Sequence, residues 1–353
     1  MARRAHLVGA WPGRDPEHAM VMALDRLAPH LDRMSDGETG DRHLWVTPPI
    51  EKFRANPDVE IVRDGDWSDY EHVASFRVRE GSTLDPDNIR LPYALAFENS
   101  FPSFQVLRER YGRPDLRFQV GIPMPIDLAL YSFGEVVFAD PTILEACTVA
   151  TVRPMERIQE QGGDDVVFQL ETVVALVAVA QAPDEAQEGV AAQMATNFID
   201  VAARTPEGTR FGIHLCLGDF HHKAYGNMRD VRPLVLLANA IAAGWPGGRI
   251  LEFVHAPFAA AKEPPIPDEA FYAPLSGLDL PRDTRFIAGF LHESLDTDAH
   301  RELLARIERL TGREVDVAAA CGLGRRATDE EAFDQMRETS ALLETPVAQT
   351  TGG

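Results

Sequence analysis

Cysteine and long apolar runs are both scarce in this sequence. Its 353 residues include three cysteines, Cys147, Cys216 and Cys321, which are too few for a framework of disulfide bonds. No apolar run is long enough to cross a bilayer, and the one in the N-terminal stretch MARRAHLVGAW is too short for the core of a secretory signal. We therefore expect a cytoplasmic protein whose thiols are free to bind a metal or to react.

Positive charge is also in short supply. The chain has 34 Lys and Arg residues against 55 Asp and Glu residues, which gives a formal net charge of -21. A surface of this charge repels nucleic acid and anionic membranes, so neither is an expected partner. Hydrophobic residues make up 45% of the chain and charged residues 25%, a balance typical of a globular protein rather than a disordered one.

What the chain does have is a series of apolar stretches of strand length, each followed by a polar turn or by a turn that contains Gly or Pro. Most of them are continuous rather than alternating, which is typical of strands buried on both faces of a sheet. The eight candidate strands cover residues 5–11, 31–36, 118–124, 166–172, 211–216, 249–255, 284–291 and 315–321.

Helical patterns separate many of these strands. Two of the patterns begin with an Asp-Pro pair, at Asp15-Pro16 and at Asp140-Pro141. Asp suits the N-cap of a helix, and Pro suits its first helical position. The alternation of eight strands with helices predicts an α/β fold of the (β/α)8 (TIM) barrel type.

Residues 43–117 do not follow this alternation. The stretch is rich in Pro, Asp and Arg, and it is long for one connection between a strand and a helix. We predict an insertion after the second strand that forms a lid or rim segment. The barrel is expected to be a single catalytic domain over residues 1–345, followed by a disordered polar tail at 346–353.

The active sites of such barrels lie at the carboxyl ends of the strands, where this sequence repeatedly places carboxylates, imidazoles and thiols. In GIHLC, at the end of the fifth strand, His214 and Cys216 point the same way because alternate side chains share a face. Cys321 ends the last strand and completes a set of three zinc-type ligands. We predict one zinc ion per chain here. The alternative interpretation of an isolated H-x-C is a buried histidine beside a cysteine of the hydrophobic core. Cys147 lies in a helical pattern and is expected to be a core residue.

The sixth strand offers two candidates for a fourth ligand. Glu252 and His255 are three residues apart, and a regular strand cannot point both of them into the barrel. Because LEFVH stays apolar through Val254, the strand is predicted to run on to His255. His255 is therefore favoured as the fourth ligand, with Glu252 as the alternative.

The charged loop SDGETGDR follows the second strand. It is either a solvated turn or a rim loop that binds substrate. In the second case Asp36 and Glu38 hold a cationic group such as an α-amino group, and Arg42 holds a carboxylate.

Two further carboxylates stand at strand ends. Glu171, in VVFQLET, and Asp219, at the end of HLCLGD, are candidate catalytic acid–base groups. The alternative for Glu171 is an exposed carboxylate at the end of a strand. His221 and His222 lie on the loop after the fifth strand, and we expect both to be solvated.

Taken in order, these motifs resemble the catalytic barrel of cobalamin-independent methionine synthase and its single-barrel relatives. That superfamily also includes zinc enzymes that open epoxides with coenzyme M, and it is structurally akin to uroporphyrinogen decarboxylase. HLC and CGLG are similar to the family's H-x-C zinc pair and to its final zinc cysteine. HLVGAWPG, SDGE and VVFQLET are similar to its first-strand turn, its short carboxylate loop and its Q-I-D-E-P motif, so the resemblance covers residues 5 to about 326.

The resemblance implies roles for further residues. Gln169 and Glu171 match the Gln and the Asp of Q-I-D-E-P, and Trp11 lies in the stretch that matches the first-strand turn. Trp11 and Gln169 are therefore expected to contact substrate. Thr172-Val173 replaces the family's Glu-Pro, which sets this chain apart from the synthases.

The activity that the resemblance implies is zinc-dependent transfer of an alkyl or methyl group to a small thiol. The partners would be a small-molecule thiol, of which homocysteine is the family's example, and an alkyl donor, for which a folate is one candidate. Three alternatives stay open. They are thiol addition to an epoxide, a metal-free lyase or decarboxylase that uses Glu171, Asp36 and Arg42, and a non-catalytic binding protein that zinc stabilises.

Overall fold

Eight short parallel strands form one sheet that curves until its edge strands meet. The computed structural model describes residues 2–344. The strands of this part of the chain are β1 (Ala5–His6), β2 (Arg33–Met34), β3 (Val59–Arg63), β4 (Ser75–Val78), β5 (Arg117–Pro123), β6 (Val166–Thr172), β7 (Arg210–Leu215), β8 (Ile250–Pro257), β9 (Arg285–Leu291) and β10 (Asp316–Ala319). The sheet has the order β1-β10-β9-β8-β7-β6-β5-β2, and a parallel bridge between Ala5 and Leu31 brings β1 beside β2.

Helices lie between consecutive strands of this sheet. They are α1 (Pro16–Leu27), α2 (Thr47–Glu51), α3 (Tyr93–Arg110), α4 (Pro125–Phe133), α5 (Val136–Ala139), α6 (Pro141–Gly162), α7 (Val174–Gln181), α8 (Gln187–Ala203), α9 (Arg232–Ala243), α10 (Glu269–Tyr272), α11 (Thr297–Thr311) and α12 (Asp329–Glu344). The fold is a (β/α)8 barrel, as the sequence predicted. None of the helices described over residues 2–344 has the length and apolar character needed to span a membrane. The predicted disordered tail, residues 346–353, lies outside the described residues.

The two Asp-Pro signals begin helices as predicted. A carboxylate oxygen of Asp15 accepts a hydrogen bond from the backbone N–H of His18 at 2.8 Å, and Asp140 accepts one from Thr142 at 3.1 Å. Each bond satisfies a backbone donor that the first turn of a helix leaves without a partner. Gly163 ends α6 with a φ of 52°, a value that glycine adopts without strain.

The insertion after the second strand is confirmed. It contains α2, α3 and the antiparallel pair of β3 and β4, which forms a separate sheet. The ring of Phe53 packs against Phe76 at a centroid distance of 5.7 Å and against Phe133 of α4 at 5.2 Å. The turn between β3 and β4 carries Trp67 and Tyr70, and both rings contact Phe220 on the loop after β7. The insertion therefore reaches the carboxyl-terminal rim of the barrel.

Strand β8 is irregular. Leu251 pairs with Phe211 but Phe253 pairs with Gly212, so Glu252 is the extra residue of a β-bulge. A Cβ at Gly212 would lie 1.9 Å from the Phe253 ring, which means that glycine makes the space for this ring. The sequence interpretation assumed a regular strand here, and that assumption is wrong.

Candidate metal centre

Three ligands predicted from the sequence lie together at the carboxyl ends of the strands. His214 belongs to β7, Cys216 follows its last residue, and Cys321 lies just beyond β10. Their ligand atoms all lie within 4.8 Å of one another, and within residues 2–344 they form the one such group of three or more His, Cys, Asp or Glu side chains. Because β8 and β9 separate β7 from β10, the curvature of the barrel brings the three residues together.

The two sulfur atoms have the spacing of ligands on one zinc ion. Sγ of Cys216 and Sγ of Cys321 are 3.8 Å apart. Two thiolates bound at about 2.3 Å in a tetrahedral arrangement are also about 3.8 Å apart. The backbone N–H of Gly218 donates a hydrogen bond to Sγ of Cys216 at 3.3 Å, which stabilises a thiolate there. The donor set therefore fits a zinc ion.

The three cysteines differ in their ionisation. The hydrogen bond from Cys216 to Cys321 raises the pKa of Cys216, and burial raises it further. The same hydrogen bond lowers the pKa of Cys321, which makes its thiolate the easier of the two to form. Burial raises the pKa of Cys147 to about 12, so this thiol is an inert core residue of α6, as expected.

The second ring nitrogen of His214 is held by His255. Their Nδ1 atoms are 2.8 Å apart, and Nε2 of His255 lies 3.0 Å from the carbonyl oxygen of Ala319. Because a carbonyl oxygen only accepts, His255 carries its proton on Nε2 and accepts at Nδ1 from His214. Nε2 of His214 is then the unprotonated nitrogen, the form of imidazole that binds metal.

The structure changes the predicted role of His255. Burial lowers its pKa to about 4, and burial together with His255 lowers the pKa of His214 well below its usual value, so both rings are neutral near pH 7. Both ring nitrogens of His255 already have partners, and it does not join the group of three ligands. It orients a ligand instead of serving as the fourth one.

Glu252, the alternative fourth ligand, lies at the opposite end of the barrel. Its carboxylate pairs with Arg33 at 3.5 Å, Arg117 at 3.4 Å and Arg210 at 3.0 Å. These arginines are the first residues of β2, β5 and β7, so the group lies at the amino-terminal rim. The structure does not bring Glu252 to the sulfur atoms, and its charge is compensated by the three guanidinium groups.

Two carboxyl groups face each other beside the ligands. A Cβ on Gly121 would lie 2.5 Å from Oε1 of Glu38 and 2.7 Å from Oε1 of Glu171, so this glycine leaves the space that both groups occupy. Burial raises the pKa of Glu38 to about 7, opposed by Arg42. Burial and the neighbouring Glu38 raise the pKa of Glu171 well above its usual value. The pair therefore holds a proton close to neutral pH.

Gln169 is bonded to the carboxyl pair, and Trp11 lies against the loop after β2. Nε2 of Gln169 donates to Oε1 of Glu171 at 2.7 Å, and its Oε1 lies 2.9 Å from Nε2 of His6. The indole N–H of Trp11 donates to the carbonyl oxygen of Ala19 at 2.8 Å. Both side chains are buried and neither lines the cavity described below, so the structure does not support the predicted substrate contacts. The buried His6 is a residue that sequence reasoning missed.

The charged loop after β2 is held by its own ion pair. Asp36 accepts hydrogen bonds from Arg42 at 2.6 Å, from the hydroxyl of Ser100 at 2.5 Å and from the backbone N–H of Glu38 at 3.0 Å. Asp36 is buried, and its two oxygens are occupied by these donors. The sequence predicted that Asp36 would bind a cationic group of the substrate and Arg42 a carboxylate of the substrate. In the structure the two residues instead pair with each other and hold the loop that carries Glu38.

Asp219 lies at the site together with a histidine expected to be solvated. Its Oδ1 is 3.0 Å from Nδ1 of His222, whose Nε2 is 3.2 Å from Glu293. The hydrogen bond to Asp219 raises the pKa of His222. His221 is exposed, as expected, with its Nε2 2.8 Å from the carbonyl oxygen of Trp67, whereas His222 is only partly exposed, so the expectation of a solvated side chain is wrong for His222.

A cavity with an empty volume of about 800 Å³, part of it open to solvent, adjoins the ligands. His214, Cys216, Cys321, Glu38 and Glu171 all border it. The sequence analysis did not predict the aromatic lining of this cavity, because most of these residues lie in the insertion and belong to no recognisable motif. The aromatic lining residues are Trp45, Trp67, Tyr70, Tyr131 and Phe220.

Three solved structures share this fold over nearly the whole chain. The putative vitamin-B12-independent methionine synthase from Listeria monocytogenes has a TM-score of 0.58 at 12% identity, with 97% of this chain and 98% of that chain covered. The B12-independent methionine synthase from Shewanella sp. W3-18-1, in complex with selenomethionine, has a TM-score of 0.59 at 11% identity, with 98% and 97% covered. A methyltransferase from Methanosarcina mazei has a TM-score of 0.53 at 13% identity, with 96% and 94% covered.

Sequence comparison adds no relative to these. No protein-family model matches the chain, and no curated protein matches it in sequence. The protein is thus a (β/α)8 barrel with the fold of methionine synthase-like and methyltransferase proteins and with a candidate His-Cys-Cys metal centre at the carboxyl ends of its strands.

Proposed function

We propose that this protein is a zinc-dependent transferase that activates a small thiol for alkyl transfer. The observation that carries the proposal is the convergence of His214, Cys216 and Cys321 on one point beside the cavity. Three protein ligands leave one position of a tetrahedral zinc ion for another molecule, which is the arrangement of catalytic zinc sites. The methyltransferase and methionine synthase-like proteins of the same fold support this class of reaction.

Each part of the site has a task in this reaction. Zinc, when bound, stabilises the substrate thiol as a thiolate near neutral pH and leaves it nucleophilic. His255 accepts a hydrogen bond from Nδ1 of His214, which would leave Nε2 of His214 free to bind the zinc. Glu38, Glu171 and Asp219 border the cavity. Their carboxyl groups can orient a substrate by charge or by hydrogen bonding, and they can exchange a proton with it.

The remaining features extend the same proposal. Residues 1–345 act as one catalytic domain, in which residues 43–117 are the rim segment that covers the cavity. The protein works in the cytoplasm on a small-molecule thiol and an alkyl donor. Homocysteine is the first acceptor to test. Its methylated product is methionine, and the Shewanella protein is in complex with selenomethionine, the selenium analogue of methionine.

Cobalt-substituted protein tests the proposal. A thiolate that binds Co²⁺ gives a charge-transfer band, and binding of a thiol as thiolate releases a proton. Homocysteine, glutathione, coenzyme M and methanethiol are added in turn while the spectrum and the proton release are recorded. We expect one of them to change both. The Cys216→Ser protein, which lacks a ligand, is the control and should respond to none of the four.

The outcome also separates the other functions. If zinc binds but no thiol changes the spectrum or releases a proton, the zinc is structural and the transferase proposal is wrong. If the protein purifies without zinc and does not take it up, the pair of Glu38 and Glu171 becomes the candidate centre of a metal-free lyase.

A further inference from the structure

Aromatic rings are concentrated around the cavity beside the ligands. Two of the four tryptophans of the chain and two of its six tyrosines line it, together with one phenylalanine. These lining residues are Trp45, Trp67, Tyr70, Tyr131 and Phe220.

The rings form one continuous wall. Tyr225, an exposed residue that does not line the cavity, contacts both Tyr70 and Tyr131, so that each ring contacts the next along the series. The centroid distances are 6.2 Å for Trp45–Tyr131, 6.1 Å for Tyr131–Tyr225, 4.9 Å for Tyr225–Tyr70, 5.5 Å for Tyr70–Phe220 and 6.4 Å for Phe220–Trp67. Because the rings come from the insertion, from α4 and from the loop after β7, the wall depends on the closed arrangement of these three segments.

The charged groups that border the cavity are mostly acidic. Glu38, Glu171 and Asp219 are the carboxylates among the described residues that line it, and Arg325 is the one Lys or Arg among them. Oδ2 of Asp219 lies 4.0 Å from the guanidinium of Arg326, and the hydroxyl oxygen of Tyr131 is buried and has no hydrogen-bond partner in the described part of the chain.

We propose that this cavity binds a small onium cation, a quaternary ammonium or sulfonium compound, as the methyl donor of the reaction. The inference rests on the transferase function proposed above and names its second substrate. Aromatic faces attract onium groups through the ring quadrupole, and desolvated cages of this kind are the usual recognition site for them. Because the pair of Glu38 and Glu171 holds a proton near neutral pH and Asp219 is paired with His222 and Arg326, the aromatic faces rather than the carboxyl groups supply the attraction for the cation.

The chemistry balances without any further reactant. The thiol loses its proton on binding, and a lone pair of the thiolate sulfur forms a bond to a methyl carbon of the onium group. The C–N or C–S bond of the donor breaks, and its electron pair stays on the leaving atom. The products are a methyl thioether and a neutral tertiary amine or thioether, so the leaving group needs no proton.

Calorimetric titration of the protein with choline and with trimethylsulfonium tests the cavity. The reference compound is the neutral carbon isostere of choline, in which a tert-butyl group replaces the trimethylammonium group. We expect at least one of the cations to bind about tenfold or more tightly than the isostere, because only a cation gains from the ring quadrupole. Equal binding of the isostere and the cations, or no binding of either cation, would overturn the proposal.

Variants show whether the rings are responsible. Tyr131→Phe keeps the ring and should retain cation binding, whereas Tyr131→Leu should weaken it about tenfold. Trp67→Phe and Trp67→Leu repeat the comparison on another part of the wall and cover the case that a Tyr131 variant does not fold. Equal affinities of the Phe and Leu variants at both positions would also overturn the proposal.

Product analysis separates this inference from the function on which it rests. Each cation is incubated with the zinc protein and the thiol that releases a proton, and the methyl thioether is measured by mass spectrometry. A product with choline identifies an ammonium donor, and one with trimethylsulfonium identifies a sulfonium donor. If a thiol binds with proton release but neither cation binds or transfers a methyl group, the onium inference alone is wrong. If cations bind and no thiol does, the transferase proposal is wrong, and the role of the cation as methyl donor is wrong with it.

Discussion

Nδ1 of His214 lies 2.8 Å from Nδ1 of His255, and this contact fixes which nitrogen of His214 is available to a metal. The histidine that the sequence favoured as a fourth ligand is thus the residue that orients the first. The candidate centre consequently has three side chains that could bind a metal, and all three border the cavity. Five features lead to predictions: the two sulfur atoms, the paired histidines, the buried ion group of Glu252, the pair of Glu38 and Glu171, and the contact of Tyr70 at the carboxyl-terminal rim.

Removal of either ligand cysteine should abolish zinc binding. Protein purified without added metal should contain about one zinc ion per chain, because a His-Cys-Cys set suits one tetrahedral ion. Cys216→Ser and Cys321→Ser should each lose most of it, as measured by atomic emission. Cys147→Ser, the matched control in the core of α6, should retain it. Full retention of zinc in both ligand variants would contradict the proposed site.

Loss of His255 should weaken zinc binding without abolishing it. His255→Ala leaves Nδ1 of His214 without its partner, and loss of such an orienting contact costs about 10–100-fold in metal affinity. Competition with a chromophoric chelator measures the change. Glu252→Gln, at the other end of the barrel, should bind zinc normally. A normal affinity of His255→Ala with a reduced affinity of Glu252→Gln would show that the ligand assignment is wrong.

Glu252→Gln should instead destabilise the fold. The substitution leaves Arg33, Arg117 and Arg210 without their shared carboxylate, and removal of one partner from a buried ion pair costs about 3–5 kcal/mol of unfolding free energy. Urea unfolding followed by tryptophan fluorescence measures this loss. The matched control is Glu60→Gln, which breaks an exposed pair with Arg77 and should change stability by about 1 kcal/mol or less. Equal effects of the two substitutions would contradict the role assigned to the buried group.

The pH dependence of stability should change in Glu38→Gln. The pKa of Glu38 is raised from 4.5 to about 7, so between these values the folded protein binds a proton that the unfolded chain does not. This group therefore makes the wild type lose stability as the pH rises from 4.5 to 7. The variant should lack that loss, as seen in the difference between the two melting temperatures across this range. The lowered pKa values of His214 and His255 act in the opposite direction in both proteins and cancel in the comparison.

Parallel melting curves of wild type and Glu38→Gln from pH 4.5 to pH 7 would show that the carboxyl of Glu38 ionises normally. The cavity would then contain one more carboxylate at neutral pH, and the pair of Glu38 and Glu171 would not share a proton there.

The hydroxyl of Tyr70 should hold the rim segment against the loop after β7. It accepts a hydrogen bond from the N–H of Phe220 at 2.9 Å and donates one to the carbonyl oxygen of Lys223 at 3.1 Å. Tyr70→Phe removes both, so amide hydrogen exchange over residues 217–226 should become faster. Tyr111→Phe, whose hydroxyl bonds to Asp25 far from this loop, is the control and should leave the exchange there unchanged. Unchanged exchange in Tyr70→Phe would show that ring packing alone closes the rim.

The sequence by itself determined the parts of this protein that depend on neighbouring residues. Apolar runs of strand length predicted the barrel strands, because a strand buried on both faces needs apolar side chains throughout. Asp15 and Asp140 predicted helix starts, because an N-cap is a bond between residues two or three apart. His214 and Cys216 were predicted to share a face for the same local reason, since alternate side chains of a strand do so.

Only the tertiary structure decided which groups meet across the barrel. Neither His255 nor Glu252 joins the ligand group, and the strand that carries them has a bulge at Glu252, which accompanies the packing of Phe253 into the space left by Gly212 on the next strand. The aromatic wall has the same origin, because Trp67 meets Phe220 only when the insertion folds over the rim. Contacts of this kind are selected by the packing of the whole interior, where side chains are close-packed, and no short stretch of sequence carries that information.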